Sequence, residues 1–167
     1  RGNNSEDNIK NFKQKFNFIG ALKRNQLSHL FDIPLNEFKE LYKSKSENKI
    51  LGYETSEIVY GEQRKIVVAY SEATAKKQKE KTEESVKKIK DKFQKLKMSI
   101  QSAKKRKKTK TQGLSKKINE FLHNQYASFF SWEFNQNEQK FSWSFNQEVF
   151  NQREKTYGKT ILFTDLE

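Results

Sequence analysis

Residues Phe130–Gln147 read FSWEFNQNEQKFSWSFNQ, so that FSWEFNQ is echoed from Phe141 as FSWSFNQ. Strict alternation puts Phe130, Trp132 and Phe134 on one face of an extended strand. It puts Phe141, Trp143 and Phe145 on the matching face of a second strand. The expected strands cover about residues 129–136 and 140–146, with Asn137–Lys140 (NEQK) turning the chain between them. Cross-strand aromatic pairs stabilise such a hairpin by roughly 0.2–1 kcal/mol each. The same rings, if exposed, would stack single-stranded bases. Paired Trp and Phe faces at β spacing are more often core, and core is the assignment made for these six.

Working outward, Ile50–Tyr60 and Arg64–Tyr70 form a second hairpin around Gly61-Glu62-Gln63, with β-branched content at Ile66, Val67 and Val68. Both hairpins are expected to join one antiparallel sheet. Phe16–Leu22 (FNFIGAL) and Lys159–Thr164 (KTILFT) read as short buried strands, and Glu148–Tyr157 as a short helix stopped by Gly158. A helix opens near Ser5-Glu6-Asp7-Asn8, where Ser5 caps and the two acids suit the helix dipole. Gln26–Leu41 reads as a helix broken near Asp32-Ile33-Pro34, because Pro34 disfavours helical geometry at Ile33.

From Thr74 a long helix begins. Val86, Ile89, Phe93, Leu96 and Ile100 recur at heptad spacing, and Leu114, Ile118, Phe121 and Leu122 form a second apolar stripe after Gly113. The expected arrangement is an antiparallel helical hairpin over about residues 74–126, with Ala103–Gln112 (AKKRKKTKTQ) and Gly113 at its tip. The fold class is therefore α+β: an antiparallel sheet with a projecting basic helical hairpin.

The charge is concentrated in that hairpin. Lys76–Lys117 holds 18 Lys and Arg against four acids, a net of +14 in a chain whose total is +13. A focused positive field attracts polyanions and releases condensed counterions on meeting phosphate. The candidate DNA-binding residues are Lys104, Lys105, Arg106, Lys107, Lys108 and Lys110 at the tip, with Lys116 and Lys117 beyond it. Lysine predominates, which favours attraction to phosphates over base readout. The bland alternative is a solvated coiled-coil face. An acidic protein or a membrane surface is a further one.

Other chemistry is sparsely supplied. The absence of Cys excludes disulfides, thiol catalysis and Cys-based metal sites. His29 and His123 are isolated and are assigned core or surface roles. There is no glycine-rich phosphate loop, nucleophile elbow or His-based metal motif. No catalytic residue and no metal ligand is assigned. No apolar run reaches the 18 or so residues of a membrane span, so no membrane partner is expected. The chain opens on Arg1 and stops at Asp165-Leu166-Glu167 after a strand-like run, as expected of a segment of a longer protein.

Three pieces carry a resemblance: Arg1–Asn8 (RGNNSEDN), Phe18–Lys23 (FIGALK) and Tyr157–Asp165 (YGKTILFTD). In this order they resemble the framework of DDE transposases of prokaryotic insertion sequences, which have a ribonuclease-H-like core and a β-rich insertion. The resemblance spans the whole chain, through short and degenerate motifs. It implies that the second catalytic Asp immediately precedes Arg1, that the final Glu lies beyond Glu167, and that the first Asp is further upstream. None of the three carboxylates stands at a matching position here. Asp165 matches a strand-end position that is not catalytic in the family, so no catalytic residue is carried over.

What the resemblance implies is a DNA-binding insertion-domain fragment, flanked by short pieces of a ribonuclease-H-like core. Residues 1–23 would be core-flanking helix and strand, 24–157 the insertion, and 158–167 the return strand. The fragment itself needs no cofactor; Mg²⁺ is implied for the parent, whose two-metal phosphoryl transfer cuts and joins DNA. Partners would be transposon-end DNA and the rest of the transposase chain, with a homo-oligomer compatible, in a cytoplasmic, nucleoid-associated location. The alternative from a different class is a free-standing nucleic-acid-binding or architectural protein with a basic coiled-coil arm. A third is a helical-hairpin interaction module with no nucleic-acid role.

Overall fold

The computed structural model describes residues 6–12, 17–43, 48–103 and 109–166. In chain order these form α1 (Glu6–Phe12), β1 (Ile19–Ala21), β2 (Lys39–Lys43), β3 (Lys49–Val59), β4 (Glu62–Ser71) and α2 (Glu72–Ala103). They continue as α3 (Thr111–Phe121), α4 (Asn124–Ala127), β5 (Phe130–Asn135), β6 (Lys140–Phe145), α5 (Gln147–Glu154) and β7 (Lys159–Thr164). The result is a mixed α+β fold with a five-stranded antiparallel sheet in the order β1-β7-β4-β3-β2, a separate β5-β6 pair, and one long helix. Chain contacts divide it into two units, Lys79–Glu154 and the residues on either side of that stretch.

The first unit is built around the five-stranded sheet. The β3–β4 hairpin turns on Tyr60 (φ 53°) and Gly61 (φ 78°), with Val59 opposite Glu62. Two successive positive φ angles match the right-handed twist of the flanking strands. The turn thus sits one residue earlier than expected. The β4–β7 register pairs Ile66 with Phe163 and Val68 with Ile161. These four side chains are at most 1% exposed and share one face of the sheet. Ile9, Leu30, Phe31, Phe38 and Val59 complete this core.

The Gln26–Leu41 helix is not formed. The break at Pro34 is present, with Ile33 extended (φ −60°, ψ 125°), but each side holds only a 3₁₀ turn, Ser28–Asp32 and Leu35–Glu37. Leu30 and Phe31 are both buried although adjacent, which a tight turn allows and an amphipathic helix stripe does not. Lys39–Lys43 then pairs with β3, with a bulge between Glu40 and Tyr42. Its sequence KELYK is exposed throughout and carries no buried period, so backbone pairing alone decides its strand state. The Lys159 ammonium holds the first turn onto the sheet by donating to the Phe31 and Ile33 carbonyls, each at 2.7 Å. Partial burial pushes its pKa down.

In the second unit the β5–β6 register pairs Phe130 with Phe145, Trp132 with Trp143 and Phe134 with Phe141, so the two expected aromatic faces do match. The expectation that this hairpin joins the larger sheet is wrong: β5 and β6 form a sheet of their own. A lone hairpin is marginal in water, and here helix side chains supply the cover a larger sheet would have given. Val86, Ile89, Phe93 and Ile100 of α2 and Leu114 and Ile118 of α3 bury with Phe130, Phe141 and Phe150 in one cluster. The aromatic echo is therefore core rather than an exposed platform.

Phe93 is 0% exposed and stacks on Trp143 (5.4 Å, 18°) and Phe141 (6.2 Å, 18°) while meeting Phe121 edge-on at 5.1 Å. Replacing a fully buried Phe by Ala costs about 3–5 kcal/mol. Phe93→Ala is expected to lower the unfolding free energy by about that much, read by urea unfolding through the fluorescence of Trp132 and Trp143. A loss below about 1 kcal/mol would show that this ring is not the centre of the core.

Candidate nucleic-acid interface

Of the eight candidate DNA-binding residues, Lys104, Lys105, Arg106, Lys107 and Lys108 lie outside the described residues. Lys110, Lys116 and Lys117 are described and exposed. Lys110 is the N-cap residue of α3 (φ −98°, ψ 142°) and makes no capping bond through its side chain. Lys116 and Lys117 follow one another on α3, so they project about 100° apart around its axis. Among the described residues none of these three lies within ion-pair distance of an acid.

The C-terminal flank of the basic run is held by hydrogen bonds made by side-chain amides, which the sequence did not reveal. Gln139 is 6% exposed and sits in the β5–β6 turn with φ 50°. Its side-chain amide donates to the Thr109 carbonyl at 3.0 Å and to the Gln136 carbonyl at 2.7 Å, and its Oε1 accepts from the Thr109 amide at 2.7 Å. Gln136 Oε1 accepts from both the amide and the hydroxyl of Thr111 at 3.0 Å. Asn135 Oδ1 shapes the same turn by accepting from the amides of Asn137 and Glu138. The chain leaving the tip is thus tied at Thr109 and Thr111 to the aromatic hairpin. Nothing in the local sequence NQNEQ announces that role, because its partners lie 25 and 30 positions away.

Apart from Lys140 on β6, the remaining described lysines of the second unit are distributed along α2. Lys79 pairs with Glu154 (3.2 Å) and Glu83 (3.9 Å), and Lys88 donates to Glu84 at 2.6 Å. That hydrogen bond and the charge behind it hold the Glu84 carboxyl below its ordinary pKa. Lys90 lies 3.7 Å over the Phe145 ring and Lys92 5.6 Å over Phe121. Exposed amines of this kind bind anions as flexible point charges, without the fixed fork geometry that reads bases or clamps phosphate bidentately.

Among the described residues no group of three or more His, Asp or Glu side chains converges to hold a metal ion. His29 Nε2 lies 3.1 Å from Glu57 Oε1 on the surface, and His123 is the exposed N-cap residue of α4. A separate open pocket of about 550 Å³ in the first unit is lined by Glu54, Ser56, Lys65, Thr164 and Asp165 among others. Its charges are engaged already: Lys65 pairs with Glu54 at 3.3 Å, and Asp165 Oδ1 accepts from the Phe18 amide at 2.9 Å. Among the described residues no helix is long and apolar enough to cross a membrane. Two of the three sequence pieces that carry the transposase resemblance are neighbouring strands, with Ile19 opposite Thr164 and the Thr164 hydroxyl donating to the Phe18 carbonyl at 2.7 Å. Comparison with protein-family models, curated proteins and solved structures finds no match.

The Gln139 clamp is testable. Removing one partner of buried hydrogen bonds costs about 1–3 kcal/mol. Gln139→Ala is expected to destabilise by about that much and to speed hydrogen exchange at the Thr109 amide. Unchanged exchange at Thr109 would mean that the clamp does not hold this flank.

Proposed function

We propose that this chain is a DNA-binding insertion-domain segment of a DDE transposase of the insertion-sequence type. The observation that carries the DNA-binding part is the net charge of +14 concentrated in Lys76–Lys117, thirteen of whose eighteen basic residues lie on or beside the described helices α2 and α3. Like-charge crowding of this kind is unfavourable without a polyanion and favourable with one, through counterion release. The family part rests on the three resembling pieces, supported by the pairing of the FIGA and KTILFT strands. In this reading residues 1–23 and 158–167 flank the insertion, and residues 24–157 constitute it.

The chemistry of the parent is metal-dependent strand cleavage and transfer, for which Mg²⁺ held by three carboxylates is implied. The acids described here do not fit that role. Asp165 is occupied by the Phe18 amide and Asp32 by the Lys155 ammonium at 2.8 Å. The segment's own part is to hold DNA, through phosphate contacts that carry no sequence information.

The test is fluorescence-anisotropy binding of the purified chain to a duplex DNA across a salt series. Binding that weakens steeply with salt is expected. Replacing Lys104, Lys105, Arg106, Lys107 and Lys108 by Gln is expected to reduce the log–log slope by about 4 to 5, near 0.9 per lost phosphate contact. An unchanged slope would remove the tip from the contact surface. Mg²⁺-dependent nicking that survives further purification would contradict a purely binding role, and a clear preference for RNA would favour a free-standing nucleic-acid-binding protein.

A further inference from the structure

α2 carries a cationic face of its own. At 3.6 residues per turn, Lys81, Lys88, Lys92 and Lys95 fall within an arc of about 60°. All four are exposed. The buried seam of Thr82, Val86, Ile89, Phe93 and Ile100 occupies a different arc of similar width, about a third of a turn away. The acids of this helix stretch, Glu80, Glu83, Glu84 and Asp91, are gathered on the remaining side. The charges are therefore sorted by face: one side of the helix is lysine, the next is mixed, and the third is core.

The surface extends onto α3. The Lys92 ammonium stands 5.6 Å over the Phe121 ring. Lys117 is exposed and lies one helical turn before Phe121, on the same side of α3. Of the five lysines, only Lys88 has an acid within ion-pair distance among the described residues, and that acid is its own-helix neighbour Glu84. Lys81, Lys95 and Lys117 have none.

We propose that Lys81, Lys88, Lys92 and Lys95 form a straight ladder that lies lengthwise against duplex DNA and contacts its phosphates without reading its sequence. The proposal rests on the DNA-binding reading above and adds a contact surface to it. At 1.5 Å per residue the ladder is about 21 Å long. Against a rise of 3.4 Å per base pair, that spans about six base pairs. A rigid helix presents these amines at fixed heights, and the lysine-only composition confers charge without base discrimination. None of the four belongs to the buried seam, and of them Lys92 is the one that also touches an aromatic ring packed on it, Phe121.

The experiment compares the intact chain with a variant carrying Lys81→Gln, Lys88→Gln, Lys92→Gln and Lys95→Gln, using two 20-base-pair duplexes of unrelated sequence. Helical circular dichroism and tryptophan emission monitor folding. The variant is expected to retain its fold and to lose about 3 to 4 from the log–log salt slope on both duplexes. If the fourfold variant misfolds, Lys81→Gln and Lys95→Gln tested singly are each expected to lower the slope by about 1. Salt-dependent binding by the intact chain with an unchanged slope in these variants would overturn the ladder while leaving the DNA-binding reading intact. Failure of the intact chain to bind either duplex would overturn both. A preference of more than about tenfold, or 1.4 kcal/mol, for one duplex would overturn the sequence-independent part.

Discussion

The ring of Phe93 is where a strongly charged helix is fastened to something apolar. Between Lys79 and Ile100 most turns of α2 present lysine to water, and only a narrow seam faces inward. Phe93 lies at the middle of that seam, stacked on Trp143 and Phe141, tilted against Phe130 at 5.4 Å and edge-on to Phe121. Three elements thus depend on one side chain: the helix, the aromatic hairpin and the return helix α3. Burial of each large seam residue contributes roughly 1.5–3 kcal/mol. Repulsion between lysines three or four apart costs only about 0.2–0.5 kcal/mol per pair. The seam therefore wins, and it holds the lysines in place against their mutual repulsion.

That balance explains the division of labour within the second unit. The hairpin has no larger sheet to shelter it, so its six aromatic rings face the helices, while Ser131, Glu133, Ser142 and Ser144 take the opposite face. Ser131 and Ser144 hydrogen-bond across the strands at 2.7 Å. The turn of the same hairpin reaches the far side of the basic run through Gln139 and Gln136. One small sheet therefore both anchors α2 and holds the chain at Thr109 and Thr111.

Much of this was legible in local sequence. Alternation located the β5–β6 pair and its inward face, heptad spacing located the buried face of α2, and Lys159–Thr164 was recognisable by its compact apolar run. What escaped reading depends on distant partners. β2 has no periodic signal and exists because β3 offers it a backbone edge. The turns around Pro34 are shaped by burial of Leu30, Phe31 and Phe38 and by carbonyl bonds to Lys159, more than 120 positions away. The independence of the β5–β6 sheet follows from what covers it, which alternation does not encode. In the candidate site the charge was plain from composition. The Gln139 clamp carried no local signal, whereas the lysine-bearing face of α2 was accessible from the same helical period that located the seam.

The proposed function places a transposase's catalytic carboxylates on either side of this segment. The most direct measurement is the coding sequence flanking it in the source DNA. The account predicts an Asp codon immediately before Arg1 and a Glu-bearing helical stretch soon after Glu167. A start codon just upstream, or a stop codon directly after Glu167, would contradict it and leave a free-standing protein whose function rests on its lysines alone.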